Sequence, residues 1–266
     1  GECGMTLSDE LIASLAEYVE NAELNKAPIT KITDDHPDMD WEDAYAIQYA
    51  IRKRKLDRGT KLAGLKMGLT SFAKMKQMGV ETPVFGFLTD YGSYADGAEI
   101  DISAFIHPRI EGEVGVMMKT ALKGPDCDIE KAVAAIDFAM PAVEIIDSRY
   151  QNFKFDLKSV VADNTSAAGF VTGSNMRKVD ELDLPTLGVV LEKNGEIVEL
   201  GAGAAVLGHP AASVAMLANM LAELGEEIPA GTFIMTGGIT AAVAVEKGDN
   251  INMRCQHLGS VSMRFV

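Results

Sequence analysis

Glu111 and Glu113 stand two residues apart in the run His107-Pro-Arg-Ile-Glu-Gly-Glu-Val-Gly-Val116. Ile110, Val114 and Val116 mark this run as a strand. Alternate strand residues share a face, so the two carboxylates project together with only Gly112 between them. Like charges that close are costly unless something cationic sits among them. A hard divalent ion supplies such charge and takes oxygen ligands. A solvated strand face is the other reading of the doublet.

A third acid, Glu144, is embedded in Pro141-Ala-Val-Glu-Ile-Ile-Asp-Ser-Arg149 among Val143, Ile145 and Ile146. A carboxylate in that setting must face water or be paired; sharing an ion with Glu111 and Glu113 would satisfy it. Asp147 and Arg149 have the same strand parity and are expected to pair with each other. Lys66 lies in Gly64-Leu-Lys-Met-Gly-Leu-Thr-Ser71, either as a snorkelling surface residue or as a buried cation aimed at an anion. The Walker spacing of a phosphate loop is absent. Asp90, after Gly86-Phe-Leu-Thr89, and Ser166, in Val161-Ala-Asp-Asn-Thr-Ser166, sit in polar turns at strand ends. Gly237-Gly238-Ile-Thr240 follows the apolar Phe233-Ile-Met235; such a glycine pair brings backbone N–H groups near a ligand or simply makes a turn. His36, His107, His209 and His257 are scattered without zinc-ligand spacing, and no nucleophile elbow, GxGxxG or Ser–His–Asp pattern stands out. An oxygen-only metal site with a lysine suits stabilisation of an enolate better than formation of an acyl-enzyme.

The elements that must position these groups read as a helical first third followed by strands. Leu7 to Asn21 carries a helical stripe at Leu11, Ile12, Leu15, Ala16 and Val19. Asp40 caps a second helix that ends in Arg52-Lys53-Arg54-Lys55, read as a solvated helix end rather than a nucleic-acid patch. Strands are expected at Lys61–Leu69, Arg109–Met118, Ala142–Asp147, Gly169–Thr172, Thr232–Met235, Asn250–Arg254 and Ser260–Val266. A hairpin spans Leu187 to Leu200 with a type I′ turn at Asn194-Gly195. Helices are expected at Ile129–Phe138 and Ala211–Leu224. Strands and helices do not alternate regularly, which argues against a parallel βαβ fold. The expected architecture is α+β: a helical region over residues 1–60 and a mixed, barrel-like β core over 61–266. The polar Ala27–Met39 loop and the Asp147–Lys158 region are candidate lids, or ordinary surface loops.

The chain of 266 residues is 47% hydrophobic, enough for a substantial core. Its net charge of -15 argues against binding a phosphate backbone. An anionic substrate would therefore need local positive charge or a metal. Three cysteines, Cys3, Cys127 and Cys255, show no metal-ligand spacing and fit a reducing compartment. Gly1 to Gly4 precede Met5 and read as a tag remnant. No signal peptide and no long apolar run is evident, so the expected location is the cytoplasm, with no membrane or nucleic-acid partner.

Taken together, Gly64–Ser71, the Glu111/Glu113 doublet, Val143-Glu-Ile-Ile-Asp-Ser-Arg-Tyr150, Val161–Asn164 and Gly201-Ala-Gly-Ala-Ala-Val-Leu-Gly208 resemble the hydratase/decarboxylase family of meta-cleavage aromatic degradation, itself related to fumarylacetoacetate hydrolases. The resemblance runs from about Leu7 to Val266. It implies a β core of the fumarylacetoacetate-hydrolase C-terminal type and a Mg²⁺ or Mn²⁺ site from Glu111, Glu113 and Glu144. Lys66 and Asp90 are then the candidate catalytic residues, and Thr70, Ser71, Ser166, Gly238 and Thr240 the candidate substrate contacts. Of the family's two activities, Lys74–Pro83, Asn152–Asp156 and Met235–Val243 favour decarboxylation of a six-carbon 2-oxo diacid over hydration of 2-hydroxypentadienoate. A homo-oligomer and a complex with the pathway hydratase are also implied. Gly112 departs from the family, where alanine is expected.

Overall fold

In the computed structural model, which describes residues 6–266, the helical stretch precedes the strands as expected. The tag-like Gly1 to Gly4 and Cys3 lie outside the described residues. Helix α1 is Asp9–Leu24 and α2 is Trp41–Asp57. Ser8 starts α1 by accepting a hydrogen bond from Leu11 N. Asp40 and Asp43 form a reciprocal capping box at α2, which satisfies donors that a helix start otherwise leaves orphaned. Ile12, Leu15, Ala16 and Val19 pack on Ala44, Ile47 and Ile51, and this cluster continues onto Val84, Phe87 and Tyr150.

The basic end of α2 is not simply solvated. Arg54, Lys55 and Arg58 converge on the buried Glu20 of α1, with Lys55 Nζ 3.0 Å from Glu20 Oε2. Burial alone would raise the Glu20 carboxyl. Arg58, Lys55 and Arg54 outweigh it and hold the group at about 2, below its usual 4.5.

The strands are β1 Leu62–Gly68, β2 Val84–Thr89, β3 Ser93–Ala95, β4 Ala98–Ile100, β5 Arg109–Met118, β6 Ile136–Ile146 and β7 Ala167–Thr172, then β8 Arg177–Lys178, β9 Gly188–Lys193, β10 Glu196–Ala202, β11 Phe233–Met235, β12 Val243–Ala244, β13 Asn250–Cys255 and β14 Gly259–Phe265. Four further helices interrupt them: α3 Phe72–Met78, α4 Ile129–Ala135, α5 Leu157–Ala162 and α6 Pro210–Ala222. One mixed sheet runs β2-β1-β11-β5-β6-β7-β3, with β12 on β5 and β8 on β6; a second runs β10-β9-β13-β14-β4. The fold is thus α+β with a curled, half-barrel sheet.

Two local expectations are corrected. The helix expected over Ile129–Phe138 stops at Ala135, and the strand expected at Ala142 begins at Ile136. Pairing with the long β5, from Met118↔Ile136 to Arg109↔Ile146, draws those residues into the sheet; tertiary pairing overrides local periodicity here. The segment Gly203–Ala222 is apolar enough by composition to cross a membrane. It is broken into a short turn and the 13-residue α6, whereas a span needs about 20 residues. Val214, Leu217, Ala218 and Leu221 of α6 are core residues.

Strand alternation sorts the main sheet into two faces. Ile110, Val114, Val116, Val143, Ile145, Val171 and Ile234 enter the main core. The opposite parity carries Lys66, Glu111, Glu113 and Glu144, beside a smaller apolar cluster of Leu88, Met140, Ala142, Phe170, Phe233 and Met235.

A buried ionic knot closes the end of β6. Asp147 does not pair with the Arg149 guanidinium through its carboxylate, as the parity had suggested. Arg149 Nε donates to Asp163 Oδ1 at 2.6 Å, and its other nitrogens donate to the carbonyls of Asp147, Ala167 and Asp163. The Asp147 carboxylate instead accepts from Ile106 N and His107 N at 2.8 Å each.

Asp163→Ala would leave the Arg149 guanidinium buried without its carboxylate. It should lower the unfolding free energy by about 3–5 kcal/mol, read as a lower urea midpoint, and Arg149→Met combined with Asp163→Leu should recover most of the loss. The Glu20 carboxyl is depressed in the fold, so its stabilisation is complete above about pH 4.5 and is lost as pH falls toward about 2. Glu20→Gln should flatten the acid limb of a plot of melting temperature against pH.

Candidate active site

Glu111 on β5 is directly opposite Glu144 on β6, a register that sets Cβ atoms about 5 Å apart. Glu113 follows on the same face. Glu113 and Glu144 are buried, at 0% and 2% exposure. Gly237 N donates to Glu113 Oε1 at 3.0 Å. Glu113 Oε2 and Glu144 Oε1, both buried, have no hydrogen-bond partner among the described residues. Burial pushes the Glu113 carboxyl well above its usual range, and the neighbouring Glu144 and Glu111 push it further. Glu111, half-buried, is raised to about 7 by desolvation and by Glu144, with Lys66 and Lys74 opposing.

Lys66 is the buried cation of the two alternatives, at 3% exposure. Its position on β1, opposite Gly86 and beside Met235, puts it on the carboxylate face. Nζ lies 2.6 Å from Glu144 Oε1 and donates to Thr165 O at 2.9 Å. The contact with Glu144 is an ion pair by distance, but its angles are not those of a hydrogen bond, which leaves Oε1 with capacity for another partner.

The Thr165 carbonyl reaches Lys66 because the chain there is left-handed at three successive residues: Asn164 (φ 48), Thr165 (φ 51) and Ser166 (φ 60). That conformation costs of order 1–3 kcal/mol per non-glycine residue and is most unfavourable for a β-branched side chain. It is held from both sides. The Asn164 amide accepts from Phe87 N and donates to Phe87 O, both at 2.9 Å, and the Arg149–Asp163 knot fixes the preceding residue. Gly86 is required beneath it, since a Cβ there would lie 2.5 Å from Thr165 Oγ1. Ser166 Oγ is buried without a partner among the described residues. Sequence reasoning singled out Ser166 but missed Asn164 and Thr165; an asparagine preceding two small polar residues is the usable signal, because Asn tolerates this region.

The remaining candidates divide. The Gly237-Gly238 turn packs against the site. A Cβ on Gly238 would lie 1.9 Å from Glu111 Oε2, and one on Gly237 would lie 2.2 Å from Thr70 Oγ1. Thr70 is buried beside that turn, and Ser71 caps α3 by accepting from Lys74 N. The Thr240 hydroxyl is engaged with backbone, accepting from Gly112 N at 3.0 Å and donating to Ala241 O at 3.1 Å. Gly112 itself faces the core, where a Cβ would meet Val189 and Met253 at 3.2 and 3.3 Å. Asp90 is not brought to the cluster. It is exposed beyond the far end of β2, where its carboxylate accepts from Tyr91 N. The two candidate lids are tied to each other, with Ile29 N donating to Arg149 O and Gln151 N to Ile29 O. The Arg109 guanidinium lies 3.9 Å from the Phe153 ring centre, and the His107 ring packs tilted against the same ring at 4.7 Å.

A cavity of about 250 Å³ lies away from the carboxylates, lined in part by Glu23, Lys55, Tyr91 and Arg149. Two lysines, Lys26 and Lys55, line it, and Lys55 is already paired with Glu20 and Glu23.

The carboxylate cluster fits a hard divalent cation on its chemistry. Three oxygen-donor side chains share one face, two of their buried oxygens are orphaned, and mutual repulsion raises the affinity of two of them for positive charge. Among the described residues no three acidic, His or Cys side chains already stand in ligand geometry. Glu111 Oε2 is turned toward Gly238.

Comparison with known proteins agrees with this fold. The chain is 64% identical over 261 residues to a 4-oxalocrotonate decarboxylase of Pseudomonas putida, covering 98% of this chain and 99% of that protein. It is 36% identical to a 2-oxo-hept-4-ene-1,7-dioate hydratase of Escherichia coli, over 95% and 97% of the two chains. A solved structure of 4-oxalocrotonate decarboxylase from Pseudomonas putida G7, complexed with magnesium and adipate, superposes with a TM-score of 0.97 at 63% identity, covering 99% of this chain and 100% of that one. The fumarylacetoacetate (FAA) hydrolase C-terminal family model matches residues 66–266, the span from Lys66 through all three glutamates to the end of β14, and the chain belongs to that family.

Proposed function

We propose that this chain is a carboxy-lyase that converts 4-oxalocrotonate (2-oxohex-3-enedioate) to 2-hydroxypenta-2,4-dienoate and CO₂ with a divalent cation held by Glu111, Glu113 and Glu144. The observation that carries the reading is the buried cluster of three carboxylates and one lysine, with two orphaned carboxylate oxygens. Similarity over nearly the whole chain to 4-oxalocrotonate decarboxylases supports the choice of reaction.

The substrate is a vinylogous β-keto acid. As the C5–C6 bond breaks, its electron pair forms C4=C5, the C3=C4 pair moves to C2=C3, and the 2-oxo oxygen gains the charge. One proton then completes the dienol. When bound, Mg²⁺ or Mn²⁺ supplies positive charge to the head of such a substrate and neutralises the glutamates. Lys66 supplies a buried, pre-aimed ammonium to the same region, where charge develops in the transition state. Holding that ammonium between Glu144 and Thr165 O keeps it oriented. In this reading Ser166 Oγ and Thr70 Oγ1 hydrogen-bond the substrate, and Ser71, Gly238 and Thr240 shape the wall around it. The apolar cluster of Phe170, Phe233 and Met235 lowers the local dielectric, which strengthens each of these charges. Asp90 is too remote in this arrangement to act on the substrate directly.

The same reading places the protein in the cytoplasm as a homo-oligomer able to associate with the hydratase that consumes its product. The free Cys127 and Cys255 suit a reducing compartment, and a product that is an enol favours short transit to the next enzyme.

Product analysis with 2-oxohex-3-enedioate should show CO₂ release that disappears on chelation and returns with Mg²⁺. Metal-dependent hydration of 2-hydroxypentadienoate without CO₂ would keep the site and overturn the reaction. Lys66→Met should lower kcat by about a hundred- to thousand-fold with an unchanged circular dichroism spectrum; near-normal turnover would remove Lys66 from the mechanism. Glu113→Gln should weaken Mg²⁺ binding measured by calorimetry, whatever its effect on turnover.

A further inference from the structure

The two edges of β5 are held in different ways. Along one edge it pairs with β6 from Arg109 to Met118. Along the other, β11 covers Gly115 to Met117 and β12 covers Arg109 and Ile110. Residues 111–114, which include both glutamates of the doublet, have no strand beside them on that edge. The gap is spanned by residues 236–242, which connect β11 to β12.

That connection supplies atom by atom what a strand would supply as a ladder. Thr236 N and Oγ1 donate to Val114 O at 3.3 and 2.7 Å. Gly237 N donates to Glu113 Oε1, and Ile239 N donates to Gly112 O at 2.8 Å. The Gly112 N–H then needs an acceptor. Thr240 Oγ1 accepts it at 3.0 Å and donates onward to Ala241 O at 3.1 Å. A hydroxyl has one donor and two acceptor sites, so it can do both. A side chain thus stands where a strand carbonyl would be. Gly112 and Thr240 are both buried, so losing that acceptor would leave the N–H unsatisfied rather than hydrated.

Gly112 depends on this anchor more than another residue would. It is the one residue between Glu111 and Glu113, and glycine has the freest backbone. Its N–H and C=O both point to the edge that faces Ile239 and Thr240, so β6 gives it no ladder bond. A rotation of that peptide changes the spacing and direction of both carboxylates together.

We propose that Thr240 is a positioning residue for the metal site: its hydroxyl holds Gly112 and so sets the spacing of the Glu111 and Glu113 carboxylates for a small, hard cation. This rests on the reading of Glu111, Glu113 and Glu144 as the metal ligands. Mg²⁺ demands near-octahedral oxygens at about 2.0–2.1 Å, whereas Ca²⁺ accepts irregular shells at about 2.3–2.6 Å. A held strand therefore favours Mg²⁺, and a loosened one gives up that preference before it gives up binding.

The test titrates metal-free wild type, Thr240→Val, Thr240→Ser and Glu113→Gln with Mg²⁺ and with Ca²⁺ by calorimetry. Valine keeps the branched shape without the hydroxyl; serine keeps the hydroxyl. Thr240→Val should weaken Mg²⁺ about ten- to a hundredfold, the usual loss when a group that orients a metal ligand is removed. Ca²⁺ should weaken less, so the Mg²⁺/Ca²⁺ affinity ratio falls, and Thr240→Ser should keep the wild-type ratio. Simple destabilisation would lower the melting temperature of the metal-free protein without moving that ratio. Unchanged Mg²⁺ affinity in Thr240→Val would overturn the assignment, and so would equal weakening of both ions. A readout that needs no variant is exchange of the Gly112 amide hydrogen in wild type. It should slow when Mg²⁺ binds, because coupling between the two is reciprocal; exchange indifferent to Mg²⁺ would also overturn the assignment. Mg²⁺ binding that survives Glu113→Gln would place the ion elsewhere and remove the metal reading and this proposal with it. Binding lost in Glu113→Gln but untouched in Thr240→Val would remove only the role of Thr240.

Discussion

Three carboxylates on one buried sheet face, against one buried ammonium, form an imbalance that the rest of the site answers. In a medium of low polarity such charges cannot all persist without more positive charge. Backbone donors relieve them only in part: Gly237 N reaches one Glu113 oxygen, while the other has no hydrogen-bond partner among the described residues and Glu144 Oε1 has only the Lys66 ammonium. A divalent cation would bring the cluster with Lys66 to neutrality. The carboxylates are held together by the longest antiparallel pairing in the molecule, β5 on β6, whose other face is locked into the main core by Ile110, Val114, Val143 and Ile145. Slipping that register by one residue would drive the glutamates into the core and the core residues into the site, so packing fixes the chemistry.

The second constraint is the left-handed turn at residues 164–166. Three strained residues in succession persist only where their surroundings over-determine them. Here the surroundings are the Asn164 amide clamped to both backbone groups of Phe87, the absence of a side chain at Gly86, and the Arg149–Asp163 knot. The return is geometric. A relaxed turn would not aim the Thr165 carbonyl at Lys66. Much of the polar apparatus around residues 147–167 thus serves orientation rather than chemistry, including an arginine whose donors are taken by Asp163 and by carbonyls of its own neighbourhood.

Legibility in the sequence followed the range of the interactions. Period-two alternation around Glu111 and Glu113 gave β5 to the residue, and the Asn194-Gly195 pair marked its hairpin. Those signals are local. The glutamate doublet and Glu144 were readable because a carboxylate in an apolar run is costly unless paired. What the sequence hid was long-range. The first residues of β6 continue from α4 without a breaker, and only pairing with β5 makes them a strand. Arg149 and Asp147 share parity, yet Arg149 turns to Asp163, fourteen residues on, because that carboxylate is brought under it by α5. Asp90 looked equivalent to Ser166 as a polar residue at a strand end. The register Leu62↔Thr89 and Lys66↔Gly86 sends Asp90 away from the lysine, and no local pattern encodes that.

Net charge sharpens the same point. A chain carrying -15 repels a dianion at long range, but salt screens that repulsion beyond about 8 Å at physiological ionic strength. What governs binding is the charge met inside that distance. There Lys66 is the buried cation. Lys66 is desolvated and immobilised, which suits a charge that must already be in place when the 2-oxo oxygen becomes anionic.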